Sequence, residues 1–449
     1  MAGEIVRGAA RLALAVSVAA GVLVLGPAPG AAADWLDDAR RLPGGAASQT
    51  RPAGSGNRVV YLDDTRSGPA GDSGGAEQLA DVRVLDLGTW SSTRLTRHPT
   101  AIGRPAISDA LVVWPEQGGR PGAVRLRLYD LATGEGRRLA GKGGTDVAID
   151  GHRACYERGQ RVFVRNLRSG SERAVSPGSS RAGACDISGR TVVWQDHRNG
   201  LDYDIYSLDL ATGRETRLTS HPADQSMPRV SGDVVVWQDQ RGGVQGTDIY
   251  ARNLVTGSET RLSTAGGVQW FAEVDDDRVV WMDERHGHDN TEVYLYDLAS
   301  RVETRVTNSS GWSGNPAVFG DRIVYEEEVA GARDLYAADI TVPDLSVTVQ
   351  TLVPAGTAPV LDGRLVGADG GGVANEVVQA EYSADGVHWF PAGTAETAHD
   401  GRFSLTVATL TSAARLRVWF PGSPEYPPVA SREVPITLEP LLLRGVELR

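Results

Sequence analysis

Val192-Val193-Trp194-Gln195-Asp196, Val235-Val236-Trp237-Gln238-Asp239 and Val279-Val280-Trp281-Met282-Asp283 are one phrase written three times, with Val112-Val113-Trp114 as a shorter fourth copy. Val59-Val60-Tyr61, Ala154-Cys155-Tyr156 and Ile323-Val324-Tyr325 put a tyrosine in the same slot. The anchor aromatics at 61, 114, 156, 194, 237, 281 and 325 follow one another at intervals of 53, 42, 38, 43, 44 and 44 residues. That is the period of a four-stranded blade repeated around an axis. In the fifth copy Pro228-Arg229-Val230 opens the unit, followed by Val234 to Asp239, Asp248 to Leu254 and Glu259 to Ser263. These runs have the β-branched and aromatic content of half-buried strands. Between the third and fourth strands lies a tight turn, Asp209-Leu210-Ala211-Thr212-Gly213, repeated at Asn253 to Gly257 and Asp130 to Gly134. Asp or Asn bonds the local backbone there and Gly supplies the positive φ. The expected fold is all-β, a seven-bladed β-propeller.

A second spacing predicts how the ring closes. Leu95, Val175, Leu218, Leu262 and Val306 each end a fourth strand 19 residues before the next anchor aromatic. The seventh copy stops after Asp334 to Ile340 without a fourth strand. Ala39-Arg40-Arg41-Leu42 resembles Glu215-Thr216-Arg217-Leu218, and Leu42 precedes Tyr61 by the same 19 residues. Residues 39–42 are therefore expected to supply the missing strand, which would remove two open sheet edges.

Trp194-Gln195-Asp196-His197-Arg198-Asn199-Gly200, then Asp204-Ile205-Tyr206, Asp209-Leu210, Thr212-Gly213 and Arg217-Leu218-Thr219, resemble the repeats of TolB-like propellers. The resemblance spans about residues 39–341 and is most specific in copies four to six; the family usually has six blades. It implies a protein-binding platform or the gating domain of a larger hydrolase, and carries no residue role to this chain. After Pro343 the pattern changes to alternating strands at Ser346 to Leu352, Val360 to Val366, Val377 to Tyr382, Phe403 to Val407 and Arg415 to Phe420. Tyr382-Ser383-Ala384-Asp385-Gly386-Val387-His388-Trp389 and Asp400-Gly401-Arg402-Phe403 resemble bacterial Ig-like modules, so a β-sandwich is expected over 344–438. The organisation expected is a signal peptide (1–33), the propeller (34–341), the Ig-like unit and a tail (439–449).

The signal-peptide reading rests on Arg7 and Arg11, the apolar run Leu12 to Leu25 and Ala31-Ala32-Ala33 as a cleavage site. The run is short for a membrane span, so no span is expected in the mature chain, which is placed outside the cell and in association with the cell wall. A formal net charge of −12 argues against nucleic acid as a partner. A monomer is expected.

Candidate chemistry is sparse. Gly71-Asp72-Ser73-Gly74-Gly75 matches the surroundings of a trypsin-like nucleophile, but without a two-barrel context it reads as coincidence. His286-Gly287-His288-Asp289, after Asp283 and Glu284, lies in one hairpin loop and reads as solvated rather than metal-binding. Asp196, Asp239 and Asp283 recur with the repeat and read as turn caps. No catalytic, cofactor or metal residues are assigned. Cys155 and Cys185, the only cysteines, are a candidate disulfide between adjacent blades. Trp270, Phe271 and Trp312, with His98, His221, Asp224 and Gln225, fall in or near the crossovers between blades. They are the candidate ligand face for a protein or carbohydrate, against the plainer reading that they pack between blades. The function expected is a secreted, non-enzymatic binding or scaffold protein at the cell envelope, with a propeller-type glycan lyase or hydrolase as the alternative.

Overall fold

The computed structural model describes residues 39–43, 48–64, 79–120, 123–140, 143–243, 246–299, 301–309, 311–340, 343–354, 356–367, 370–386, 389–423, 426 and 429–439. The leader-like segment 1–33 and the Gly71–Gly75 motif lie outside them.

Among the described residues, seven four-stranded antiparallel sheets occupy Arg40 to Asp339. Their first strands are Ser48–Ser55, Ala106–Ser108, Val147–Asp150, Ala182–Ser188, Gln225–Ser231, Gln269–Asp275 and Ser313–Phe319. Each packs on the next, and Ser313–Phe319 packs back on Ser48–Ser55, so the seven form a closed cycle. The fifth first strand starts three residues before Pro228, because the ladder continues past a bulge there.

The anchor aromatics sit in second strands and face the neighbouring sheet. Trp114, Trp194, Trp237, Trp281, Tyr61 and Tyr156 are among the largest fully buried side chains. Each such ring removes about 150–250 Å² from water, worth up to about 5 kcal/mol. Trp194, Trp237 and Trp281 stack on the third-strand tyrosines Tyr206, Tyr250 and Tyr294 at centroid distances of 6.0, 6.1 and 6.3 Å. The indole N–H of each donates to the aspartate two residues on, Asp196, Asp239 or Asp283. The same carboxylates accept the backbone N–H of Arg198, Arg241 and Arg285, whose guanidinium groups lie over the tyrosine rings. This recurring Asp is thus a turn cap tied into the blade.

Where first strands end, a belt of hydrogen bonds joins the sheets. Ser55, Ser108, Ser188 and Ser231 accept the N–H of Asp109, Gly151, Gly232 and Asp276, each at 3.0 Å. Asp150 and Asp275 do the same for Gly189 and Gly320. Phe319 holds the equivalent place in the seventh sheet, so between sheets seven and one a ring stands where the belt has a hydrogen-bond acceptor. Its ring fills the space at Gly54, where an added Cβ would collide with it.

Arg40–Arg41 pairs with Ala332–Asp339 and is the fourth strand of the seventh sheet. Leu42 N–H donates to Leu335 at 2.8 Å, as Leu218 does to Ile205 at 2.7 Å and Leu262 to Ile249 at 2.8 Å. The ion pair Arg41–Asp334 at 2.7 Å repeats Arg94–Asp81, Arg217–Asp204, Arg261–Asp248 and Arg305–Glu292 in other sheets.

Residues 344–439 form a second unit of two sheets. One joins Asp344–Val349, Val360–Val366 and Arg402–Thr406; the other joins Leu352–Pro354, Val434–Glu439, Ala414–Phe420, Val377–Ser383 and Phe390–Glu396, with Val429–Ala430 beside Ala414–Phe420. Leu361, Leu365 and Phe403 from the first meet Val378, Leu416, Val418 and Phe420 from the second in one core. The run expected over Ser346 to Leu352 is divided between the two sheets, and Leu352–Pro354 pairs in parallel with Val434–Glu439.

Candidate functional site: a cavity on the ring axis

In five first strands the ladder slips by a bulge, between Thr50 and Ala53, Gly183 and Asp186, Ser226 and Arg229, Trp270 and Glu273, and Gly314 and Ala317. A bulge re-aims one side chain out of the pleat. Here the bulged residues are Arg51, Ala184, Met227, Phe271 and Asn315, all left-handed with φ of 56°, 46°, 53°, 52° and 46°. Arg104 and Asp146 precede the first strands of sheets two and three, two residues before Ala106 and Ala148, as the bulged residues do in the other sheets. All seven line one cavity of about 1440 Å³. Such backbone costs about 1–2 kcal/mol per non-glycine residue and needs support. The support comes from neighbouring sheets: Met227 N–H donates to Gln195 Oε1 at 2.9 Å, and Arg51 N–H to Glu326 Oε1 at 2.7 Å.

Two residues deeper, the register aligns Ala53, Ala106, Ala148, Asp186, Arg229, Glu273 and Ala317. Alanine keeps four sheets close to the axis, while sheets four to six project charge into it. Glu273 accepts from Arg229 at 3.0 Å and also pairs with Arg104. Arg104 stands just before the first strand of the second sheet and Glu273 in the first strand of the sixth, so the ion bridge spans the channel. Arg104 is further fixed by donating to Pro52 O at 3.2 and 2.8 Å.

Burial alone would raise the Glu273 carboxyl, but Arg104 and Arg229 outweigh it and hold it below the usual carboxylate range. Burial pushes Asp186 up to about 6, against the opposing charge of Arg229 and the Val230 N–H that donates to it at 2.8 Å. Burial also raises Asp146, again against Arg229 and Arg104. At the mouth, Arg333 lies 4.2 Å over the Trp312 ring and 3.5 Å from Glu326.

Of the residues read as a ligand face, Phe271 and Trp312 line the cavity, and Phe271 is 42% exposed. Trp270 stacks on Phe271 with centroids 6.1 Å apart but lies outside the cavity lining, with a buried indole N–H. Gln225 is buried and turns its amide onto Ala223 O. Asp224 accepts Tyr203 N–H at 2.7 Å, and His221 Nδ1 accepts Ala223 N–H at 3.2 Å, so both order the crossover. His98 is exposed away from the cavity. The hairpin histidines are engaged locally: His288 Nδ1 is 2.6 Å from Glu284, and His286 Nε2 is 2.8 Å from Tyr294 Oη. Cys155 and Cys185, the candidate disulfide, are free, buried thiols in one core cluster.

Arg51, Arg104, Asp146, Arg229, Glu273 and Glu326 were missed by sequence reasoning. The usable signal was departure from alanine at one first-strand position in three consecutive repeats, which becomes visible only with the bulge register.

No protein-family profile and no curated protein sequence matches the chain. Solved structures do. The β-propeller domain of the Trilobed protease from Pyrococcus furiosus is 14% identical over 65% of this chain and 93% of that one, with a TM-score of 0.51. The fold is a β-propeller. A prolyl endopeptidase is 11% identical over 71% of this chain, with a TM-score of 0.50; the match spans 55% of the endopeptidase's length. TolB from Acinetobacter baumannii is also a neighbour, at 14% identity and a TM-score of 0.40 over 79% of this chain and 80% of that one. At these identities the likeness shows the fold alone. Two of these similar propellers, in a protease and an endopeptidase, stand against the expectation of a non-enzymatic binding or scaffold protein, which is withdrawn. Neither that reading nor its glycan lyase or hydrolase alternative is carried further.

Proposed function

We propose that this chain is a peptidase-type propeller, a single ring of seven blades whose axial cavity receives an extended peptide. The observation that carries the proposal is a cavity of about 1440 Å³ lined from all seven sheets by charged, amide, thioether and aromatic groups together. It exceeds the roughly 300–1,000 Å³ of a small-molecule pocket, which gives room for a short peptide rather than a folded domain. Phe271 and Trp312 offer apolar contact near the mouth, while Arg51, Arg333 and Glu326 offer partners for peptide groups. The two-sheet unit over 344–438 fits the role of an Ig-like spacer beside the ring, on its single core and its length of about 95 residues.

Titration calorimetry of the full chain with unstructured peptides of four to eight residues tests the reading, with a small folded protein as control. Peptides are expected to bind and the folded protein is not; alanine at both Phe271 and Trp312 is expected to weaken binding about tenfold or more. Failure of every peptide to bind overturns the proposal. Chromatography of the same peptides after incubation reads whether this chain cleaves them.

A further inference from the structure

We propose that Asp146 and Glu157, on the third-sheet side of the cavity, form a subsite for an alkylammonium group, the peptide's amino terminus or a lysine side chain. The inference rests on the peptide reading above and names what part of the peptide this wall selects.

Both residues line the cavity. Asp146 Oδ2 is enclosed and meets no hydrogen-bond donor among the described residues. A carboxylate oxygen withdrawn from water without a donor is costly, and a ligand bearing N–H groups and positive charge removes that cost. In two other sheets the residue equivalent to Glu157, Gln195 or Glu326, accepts the bulge N–H of the next sheet. Glu157 instead accepts the Gln160 backbone N–H within its own sheet, and Asp146 raises its pKa beyond what burial does.

Two glycines leave room around it. A Cβ at Gly183 would come within 2.9 Å of Glu157 Oε2, and one at Gly144 within 3.2 Å of Glu157 Cβ. The local charge favours a cation. Arg229 and Arg104 are the guanidinium groups that act on Asp146, and both are committed to Glu273. Asp146 and Glu157 repel each other as carboxylates, and Arg51, Arg181 and Arg333 also line the cavity. An ammonium group with three donors can use both Asp146 and Glu157 and still reach water at the mouth. A metal ion is a poorer fit, since no three ligand-type side chains converge here among the described residues.

The test compares four probes by calorimetry on the full chain: a lysine-free peptide with a free amino terminus, its N-acetylated form, an N-acetylated peptide with one internal lysine, and butylamine. The expected result is a loss of tenfold or more on acetylating the lysine-free peptide, with weak butylamine binding that competes with it. Recovery by the internal lysine shows that the site also takes a side-chain amine, and no recovery restricts it to the amino terminus. Asp146→Asn and Glu157→Gln are each expected to reduce the preference for the amine while leaving affinity for the acetylated peptide nearly unchanged. Equal binding of the free, the acetylated and the lysine-bearing acetylated peptides by the unmodified protein overturns this inference and leaves the peptide reading standing. Because that comparison needs no variant, it holds even if Asp146→Asn fails to fold.

Discussion

Asp186 sits at the deep tier where four other repeats have alanine, and its charge has a calculable consequence. Its pKa rises from an ordinary 3.8 to about 6 in the fold. Between these values the folded protein keeps a proton that the unfolded chain has lost, so stability falls as pH rises through that window. The penalty is complete above about pH 6 and absent below about pH 4. Asp186→Asn keeps an acceptor for the Val230 N–H and removes the charge. It is expected to stabilise the protein at pH 8, by up to on the order of 3 kcal/mol, and to do nothing at pH 3.5. Denaturant midpoints at the two pH values check this, and a gain of equal size at both would refute the burial argument. The cysteines give a second residue-scale expectation. With Cys155 and Cys185 buried and free, a thiol reagent should find none in the native protein and two after denaturation without reductant. Finding none after denaturation would mean a bridge.

At the scale of elements, the closing strand is only two residues long in its ladder, yet it completes the seventh sheet. Its strength lies in Leu42, which is 2% exposed, rather than in Arg41, whose side chain is half in solvent. Leu42→Ala is therefore expected to cost about 2–5 kcal/mol and Arg41→Ala about 1 kcal/mol or less. Deleting residues 34–45 should lower the melting temperature of the whole ring, and unchanged melting would show that this strand does not hold it closed. The seam it closes differs from the other six. Gly54 replaces the Val or Ile found at Ile107, Ile149, Ile187, Val230, Val274 and Val318, and Phe319 replaces the Ser or Asp of the belt. Gly54→Val alone forces its side chain into the Phe319 ring and is expected to cost about 3 kcal/mol. Adding Phe319→Ser should recover about 1 kcal/mol or more, because the pair then matches the other seams. A double-mutant cycle in urea measures that coupling, and simple additivity would count against it.

At the scale of the whole molecule, Glu273 pairs with Arg104 across the channel and with Arg229 beside it, tying sheets two, five and six. The repeat, its four strands and the pairing of residues 39–42 could be read from the chain because each is written in local spacing: an anchor aromatic every 38–53 residues and a fourth strand ending 19 residues before it, except for Leu139, 17 before Tyr156. The local chemistry of Asp196, Asp239 and Asp283 was legible for the same reason, since all their partners lie within one repeat. The cavity was not. Trp270 and Phe271 are neighbours in sequence, yet the bulge turns only Phe271 inward, and Arg104 meets Glu273 across 169 residues of chain. Spacing along the chain fixes what hydrogen-bonds to its neighbour in the same sheet. Which side chains converge on the axis depends on bulges and on the sum of seven inter-sheet packings, and that geometry exists only once the ring has closed.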